Sequence, residues 1–160
     1  MKLNLIGYVV LGLLFSIGWF FYRRVMAVKR LQVNVDLPNG FKQENGFIVF
    51  TQNLLVNNAS NVDLQVSNIN MDVYSSGYFV GKASLPEPQT IGANTISVVS
   101  VKVTCSISDL LTSLGVSIQK LVTTKKIKLS FEGTIGAYGF TAPVSQSSEI
   151  EVPTWIVNLF

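Results

Sequence analysis

The sequence predicts an antiparallel all-β domain, a sandwich with one short helix, behind an N-terminal transmembrane helix. Three observations carry this. The twenty residues from Leu3 to Tyr22 hold no charge. From Leu31 onward, apolar and polar residues alternate in short runs separated by turn residues. A single later stretch, "SISDLLTSLGVSIQKLV", has helical spacing instead.

As a helix, the uncharged run spans about 30 Å, the thickness of a bilayer's hydrocarbon core. Leu3, Ile6, Val9, Leu13 and Phe20 make up its apolar body, Trp19 and Tyr22 sit where aromatic rings favour the membrane–water boundary, and Arg23 and Arg24 stop it. The rival reading is a cleaved signal peptide, with Val25-Met26-Ala27 before the cut. The apolar run exceeds the ~7–15 residues of a signal peptide, and arginines precede that cut. The sequence therefore favours an uncleaved anchor over residues 1–30. Lys2 precedes the span, whereas Arg23, Arg24, Lys29 and Arg30 follow it. This imbalance puts the C-terminal domain on the cytoplasmic side. Gly12-x-x-x-Ser16 is a small-xxx-small pattern of the kind that pairs helices.

The predicted domain covers residues 31–153. In "RLQVNVDLP", Leu31, Val33, Val35 and Leu37 share one face, and Pro38-Asn39-Gly40 ends the strand with turn chemistry. Asn45-Gly46 precedes "FIVFTQNLLV", with Ile48, Phe50, Leu54 and Val56 in phase, and Asn57-Asn58 breaks that strand. In the next strand Leu64 and Val66 have one parity and Ile69, Met71 and Val73 the other. A bulge or sheet crossing is expected at Ser67-Asn68, because a one-residue slip turns every side chain over. Ser75-Ser76-Gly77 is a turn into "YFVGKA". "TISVVSVKVTCS" is a long strand with a second phase change expected near Val98-Val99. In the helical stretch Ile107, Leu110, Leu111, Leu114, Ile118 and Leu121 line one face, and Ser106 or Ser108 caps the start, with Asp109 in the first turn. Two further strands, "KIKLSF" and "FTAPV", flank a glycine-rich turn, and "SSEIEVP" closes the sheet.

Composition removes much chemistry. The chain has 160 residues, no histidine and one cysteine. That excludes Ser-His-Asp and Cys-His catalysis, an intrachain disulfide and a Cys/His zinc site. Cys105 reads as a small buried hydrophobe rather than a reactive thiol. Glu149 and Glu151 are the acids nearest each other in sequence, and alternation with Ile150 and Val152 makes them the solvent face of a strand rather than a glycosidase pair. Gly133, Gly136 and Gly139 read as hairpin glycines, and Lys125, Lys126 and Lys128 as a solvated strand edge. Asn58-Ala59-Ser60 is a formal glycosylation sequon. No catalytic residue, metal ligand or cofactor is predicted. The net charge of +3 is confined to the N-terminus, because from Leu31 onward seven lysines face nine acids. This argues against a nucleic-acid partner.

From "LLVNN" through "VDLQVSNINMDVYSSGYFVGKA", "TIGANTISVVSVKV", "SDLLTSL" and "KIKLSFEGTIG" to "FTAPV", the chain resembles the late-embryogenesis-abundant type 2 proteins, which share the water-stress-and-hypersensitive-response domain. The resemblance implies a seven-stranded sandwich of fibronectin or immunoglobulin type, no catalytic residues, and a stress-protective, membrane-associated or binding role. The family often has proline where this chain has Asn58.

The expected function is a non-enzymatic module that tethers a β-sandwich to a lipid bilayer and binds a protein partner or assembly. A surface rich in amides and hydroxyls suits packing in an assembly. A specific version is a virion protein linking an internal membrane to a capsid. The alternative is a stress-protective or apolar-ligand-binding membrane-associated protein, which a cavity between the sheets would support. The tail, residues 154–160, has five apolar residues: Trp155, Ile156, Val157, Leu159 and Phe160. It either packs back as an extra edge strand, docks on a partner, or touches the membrane surface, with Trp155 and Phe160 as anchors.

Overall fold

The computed structural model describes residues 5–115 and 118–158, the side chains of 5–10 and 118–120 excepted. Helix α1 (Leu5–Lys29) is followed by β1 (Gln32–Glu44), β2 (Phe47–Asn58), β3 (Leu64–Ser75), β4 (Tyr78–Ser84), β5 (Gln89–Ile91) and β6 (Thr95–Ser106). Helices α2 (Ile107–Leu114) and α3 (Ile118–Thr124) lead into β7 (Lys126–Ala137) and β8 (Phe140–Glu151), and the chain closes on a helical turn, α4 (Thr154–Val157).

The all-β antiparallel class holds, but the strands do not divide into two hydrogen-bonded sheets. They form one continuous sheet in the order β1-β2-β6-β4-β3-β7-β8, with β5 on β3. The sheet curls until its edge strands β1 and β8 come near each other, which makes a half-barrel. One core fills the inside. Phe50, Leu54, Ile69, Val73, Val101, Val103, Leu129, Phe131 and Ile150 are buried in it, where the inward parity of each strand puts them.

Local chemistry sets the hairpins. Asn45-Gly46, Ser76-Gly77 and Tyr138-Gly139 each hold two consecutive residues at positive φ, the two-residue turn that matches strand twist. The phase change at Ser67 is a bulge: the β3–β7 register shifts between Val66 and Asn68, and the Ser67 hydroxyl donates to the Gly136 carbonyl at 3.3 Å.

Other sequence expectations are corrected. Pro38-Asn39-Gly40 does not end β1, which runs on to Glu44 through two register shifts. An edge strand has unpaired backbone positions to spare, so it tolerates proline and bulges. Leu37 is exposed rather than inward. Gln52, in phase with Phe50 and Leu54 and fully buried, donates to the Asp36 carbonyl in the stretch of β1 that the register skips. No phase change occurs at Val98-Val99: β2 and β6 pair without a break, and Ile96 and Val98 are 68% and 56% exposed. Gly133 and Gly136 lie inside β7, so Gly139 alone of the three is a hairpin glycine.

The helical stretch also differs. Ser106 caps α2 by accepting from the Asp109 N–H at 3.3 Å. Gly115, at φ 40°, then ends the helix, so the predicted single helix is two. Leu110, Leu114 and Leu121 are buried as expected.

Candidate membrane-proximal site

The strand directions give the molecule two ends. Residues 58–63, the turn at 92–94, the Tyr138-Gly139 turn and the start of β1 lie at one end, where α1 attaches. The turns at 45–46 and 76–77, with α2, α3 and α4, lie at the other.

From Leu11 to Tyr22 every side chain of α1 is exposed, including Leu13, Trp19, Phe20 and Tyr22. The segment Leu11–Lys29 is long and apolar enough to cross a membrane, with mean hydropathy 1.3, a property that anchors share with signal sequences. Ile6 and Val9 lie in α1 with their side chains outside the description, and Leu3 lies outside the described residues. The Ser16 hydroxyl donates to the Gly12 carbonyl at 2.8 Å, which satisfies it without water.

Below Tyr22 the helix joins the domain. Ala27 and Val28 are fully buried in a small cluster with Leu64, Ala137 and Ala142, and Leu31, Tyr138 and Phe140 pack against it. Above this cluster the two arginines that stop the apolar run are both engaged. The Arg23 Nη2 donates to Asn61 Oδ1 at 2.7 Å. The Arg24 guanidinium lies between two rings, 3.9 Å from the centre of Phe20 and 4.0 Å from that of Tyr138. Such stacking contributes about 0.5–2 kcal/mol per ring, more as water is excluded. The Tyr138 hydroxyl in turn donates to the Asp63 carbonyl at 3.2 Å. Arg24 Nε is buried with no hydrogen-bond partner. A cleft of about 420 Å³ opens here between α1 and Asn61-Val62.

Asn58 organises the loops beneath the cleft. Its amide is completely buried. Its Nδ2 donates to the carbonyls of Val62 at 2.8 Å and Gly92 at 3.0 Å, and its Oδ1 accepts from the Ser60 N–H at 3.1 Å and the Ser60 hydroxyl at 2.6 Å. The sequon nitrogen is thus enclosed and occupied in the folded domain. Sequence reading gave Asn58 as a strand breaker and a sequon residue, not as a clamp on the loops. The remaining signal was the buried parity it shares with Leu54 and Val56.

The distal end receives the tail. Ile156 and Val157 are buried in the main core, as a helical turn rather than an edge strand, whereas Trp155 is 36% exposed. The Lys125 ammonium donates to the Thr154 hydroxyl at 3.3 Å, and the Val152 N–H to the Lys125 carbonyl at 2.8 Å. Leu159 and Phe160 lie outside the described residues. Phe47, Tyr78 and Phe79 are also exposed at this end. The tail and α1 are separated by the length of twelve-residue strands such as β7, about 40 Å.

Lys126 and Lys128 stand opposite Glu151 and Glu149 in the β7–β8 register, so all four charges share an exposed face. β7 is an interior strand, so the lysines are not on a sheet edge. The Cys105 thiol is buried, and burial pushes it up to about 12. A thiol reagent is expected to leave native Cys105 unmodified at pH 8 and to label it fully in denaturant; labelling of the native chain would contradict its burial. Since the folded value is raised, the unfolded thiol ionises first. The contribution of Cys105 to stability is full below pH 9 and declines toward pH 12, by up to about 1.4 kcal/mol per pH unit.

A void bounded by Phe41, Phe50, Cys105, Leu110, Leu121 and Ile156 lies under the distal helices and offers about 20 Å³, room for about one water.

Comparison with known proteins adds a family and a fold. The profile of the family described as late embryogenesis abundant protein matches residues 53–149. A solution structure of an Arabidopsis thaliana protein is similar with TM-score 0.56 and 21% identity over 75% of this chain and 78% of that one. A second solution structure, described as that of a candidate late embryogenesis abundant (LEA) protein, is similar with TM-score 0.53 and 17% identity over 91% of this chain and 84% of that one. A comparison with curated proteins finds no match.

Proposed function

We propose that this chain, which belongs to the late embryogenesis abundant protein family, is a non-enzymatic module that α1 anchors in a membrane and whose distal end binds a protein partner. The observation that carries the anchor is the division of α1. Its upper part is apolar and uncovered by the domain, and its last turn is part of the domain's packing. An apolar helix exposed all round needs lipid or another chain to cover it. Cleavage after Ala27 would leave a charged α-amine on Val28, a residue with no exposure. That cost argues for an anchor that stays attached. The flanking charge supports a cytoplasmic domain.

Alkaline carbonate is expected to leave the protein in the membrane, and intact mass to show the residues before Ala27 still present. A mature chain starting near Val28 would sink the anchor.

For the partner, the support is the distal end, where Trp155, Phe47, Tyr78 and Phe79 are exposed on the side away from α1. Trp155→Ala is expected to weaken association with the partner at least about tenfold while the melting temperature holds. A change in melting without a change in association would make Trp155 only part of the core. The virion version of this reading draws on composition and topology alone. Carriage of an apolar ligand has little support from a void of about 20 Å³, against the ~300–1,000 Å³ of small-molecule sites. Absence of catalysis fits a chain without histidine, whose one thiol is buried and whose neighbouring glutamates face lysines.

A further inference from the structure

We infer that the cleft between α1 and the loop at Asn61 is a binding site for one anionic phospholipid of the surrounding leaflet, with its headgroup phosphate on Arg23 and Arg24. The inference rests on the proposed anchor and goes beyond it.

The walls of the cleft are ordered along the helix. Phe15, Trp19 and Phe20 form its apolar part, with Ser16 among them bonded to the Gly12 carbonyl, and Arg23, Arg24 and Asn61 its polar end, beside Val62. Phe15 and Arg23 are eight residues apart, about 12 Å of helix. A phospholipid lying along α1 has the same order, acyl chain first and phosphate next. The polar end also falls just past Tyr22, the last residue of the uncharged run, which is headgroup depth if that run fills the hydrocarbon core.

Among the described residues no acid forms an ion pair with either arginine. Asn61 orients Arg23 through Oδ1 but carries no charge to balance it. Asp63 Oδ1 is engaged elsewhere, accepting from the Ala93 N–H at 2.7 Å. The Arg24 Cζ lies 3.9 and 4.0 Å from the centres of the Phe20 and Tyr138 rings, and its Nε is buried without a partner, so the terminal Nη groups are the donors left for an anion. A guanidinium fixed beside two rings is pre-organised for a contact to phosphate oxygens. An aromatic wall beside it gives a lipid phosphate an advantage that free phosphate lacks.

The test uses the full chain in nanodiscs of equimolar phosphatidylcholine and phosphatidylglycerol, released into native mass spectrometry. The wild type is expected to retain one phosphatidylglycerol in preference to phosphatidylcholine by at least about tenfold. Arg24→Gln and Arg23→Gln should each lose that preference, while Lys125→Gln, at the distal end, should keep it. Arg23→Gln leaves the Phe20–Arg24–Tyr138 stack in place, so it tests the site even if Arg24→Gln misfolds. Equal retention of the two lipids, or a preference unchanged in both arginine variants, would overturn the inference. Displacement of the lipid by excess inorganic phosphate would overturn it in favour of a free-phosphate site. Chain that carbonate extracts from membranes would sink the anchor and the lipid site together, whereas chain that stays inserted without lipid preference sinks the site alone.

Discussion

Replacing Asn58 with alanine is expected to destabilise the domain by about 4 kcal/mol, while the same change at its neighbour Asn57 costs less than about 0.5 kcal/mol. The two side chains differ in surroundings, not in kind. Asn57 is partly exposed and makes one long contact, from its Nδ2 to Gln32 Oε1 at 3.4 Å. Asn58 fills a closed space with donors and acceptors on every side. Alanine would strand the N–H of Ser60, at about 1–3 kcal/mol if no water enters, and remove three further hydrogen bonds at about 0.5–1.5 kcal/mol each, while the carbonyls of Val62 and Gly92 keep the hydroxyls of Ser60 and Thr95. A chain of this size loses about 2–4 °C of melting temperature per kcal/mol, so Asn58→Ala should melt about 10 °C lower. Thermal unfolding of the two variants side by side decides it, and equal melting temperatures would refute the clamp.

Gly133→Val is expected to cost at least about 3 kcal/mol, although Gly133 lies in a strand, where valine is ordinarily favoured. A Cβ at this position would collide with the Asn70 carbonyl oxygen and come within 2.6 Å of the Met71 Cα. Both are backbone atoms of β3, so no rotamer change relieves the clash. Gly81 is in the same position on the other flank, where a Cβ would collide with the Thr104 carbonyl oxygen of β6. The two close approaches border the β3–β4 hairpin at the middle of the sheet. Glycine inside a strand commonly marks such a bend. Gly12, with nothing within 4 Å of its Cβ position, should accept alanine without loss of domain stability. A Gly133→Val chain that unfolds at the wild-type denaturant midpoint would show that β3 and β7 can separate freely.

What could be read in the sequence was what neighbours along the chain decide. Asn45-Gly46 and Ser76-Gly77 signal their turns by themselves, and the parity change at Ser67 marks its bulge. Parity failed at Ile96 and Val98 because alternation assumes that apolar residues face inward. Two exposed ones on an unbroken β6 imitate a slip. Pro38-Asn39-Gly40 misled because turns and edge bulges use the same residues. The roles of Gly133 and Asn58 depend on Met71 and Gly92, brought close only by pairing. Whether the strands form one sheet or two depends likewise on contacts between distant segments. In the candidate site, Arg23 and Arg24 were legible as the stop of an apolar run. Their partners Asn61 and Tyr138 were not, since Tyr138 lies more than a hundred residues further on.

The junction below Tyr22 has no hinge. Ala27 and Val28 are packed into the domain, Arg24 is held between Phe20 and Tyr138, and Arg23 is tied to Asn61. A domain on a flexible tether sweeps a volume and meets partners in any orientation. This one is mounted like a post. With α1 across a bilayer, Trp155 and the distal aromatics stand at a fixed height, about 40 Å beyond the junction. Under the proposed function, their search for a partner would be confined to a thin layer parallel to the membrane, and any tilt of α1 would be passed to them undamped.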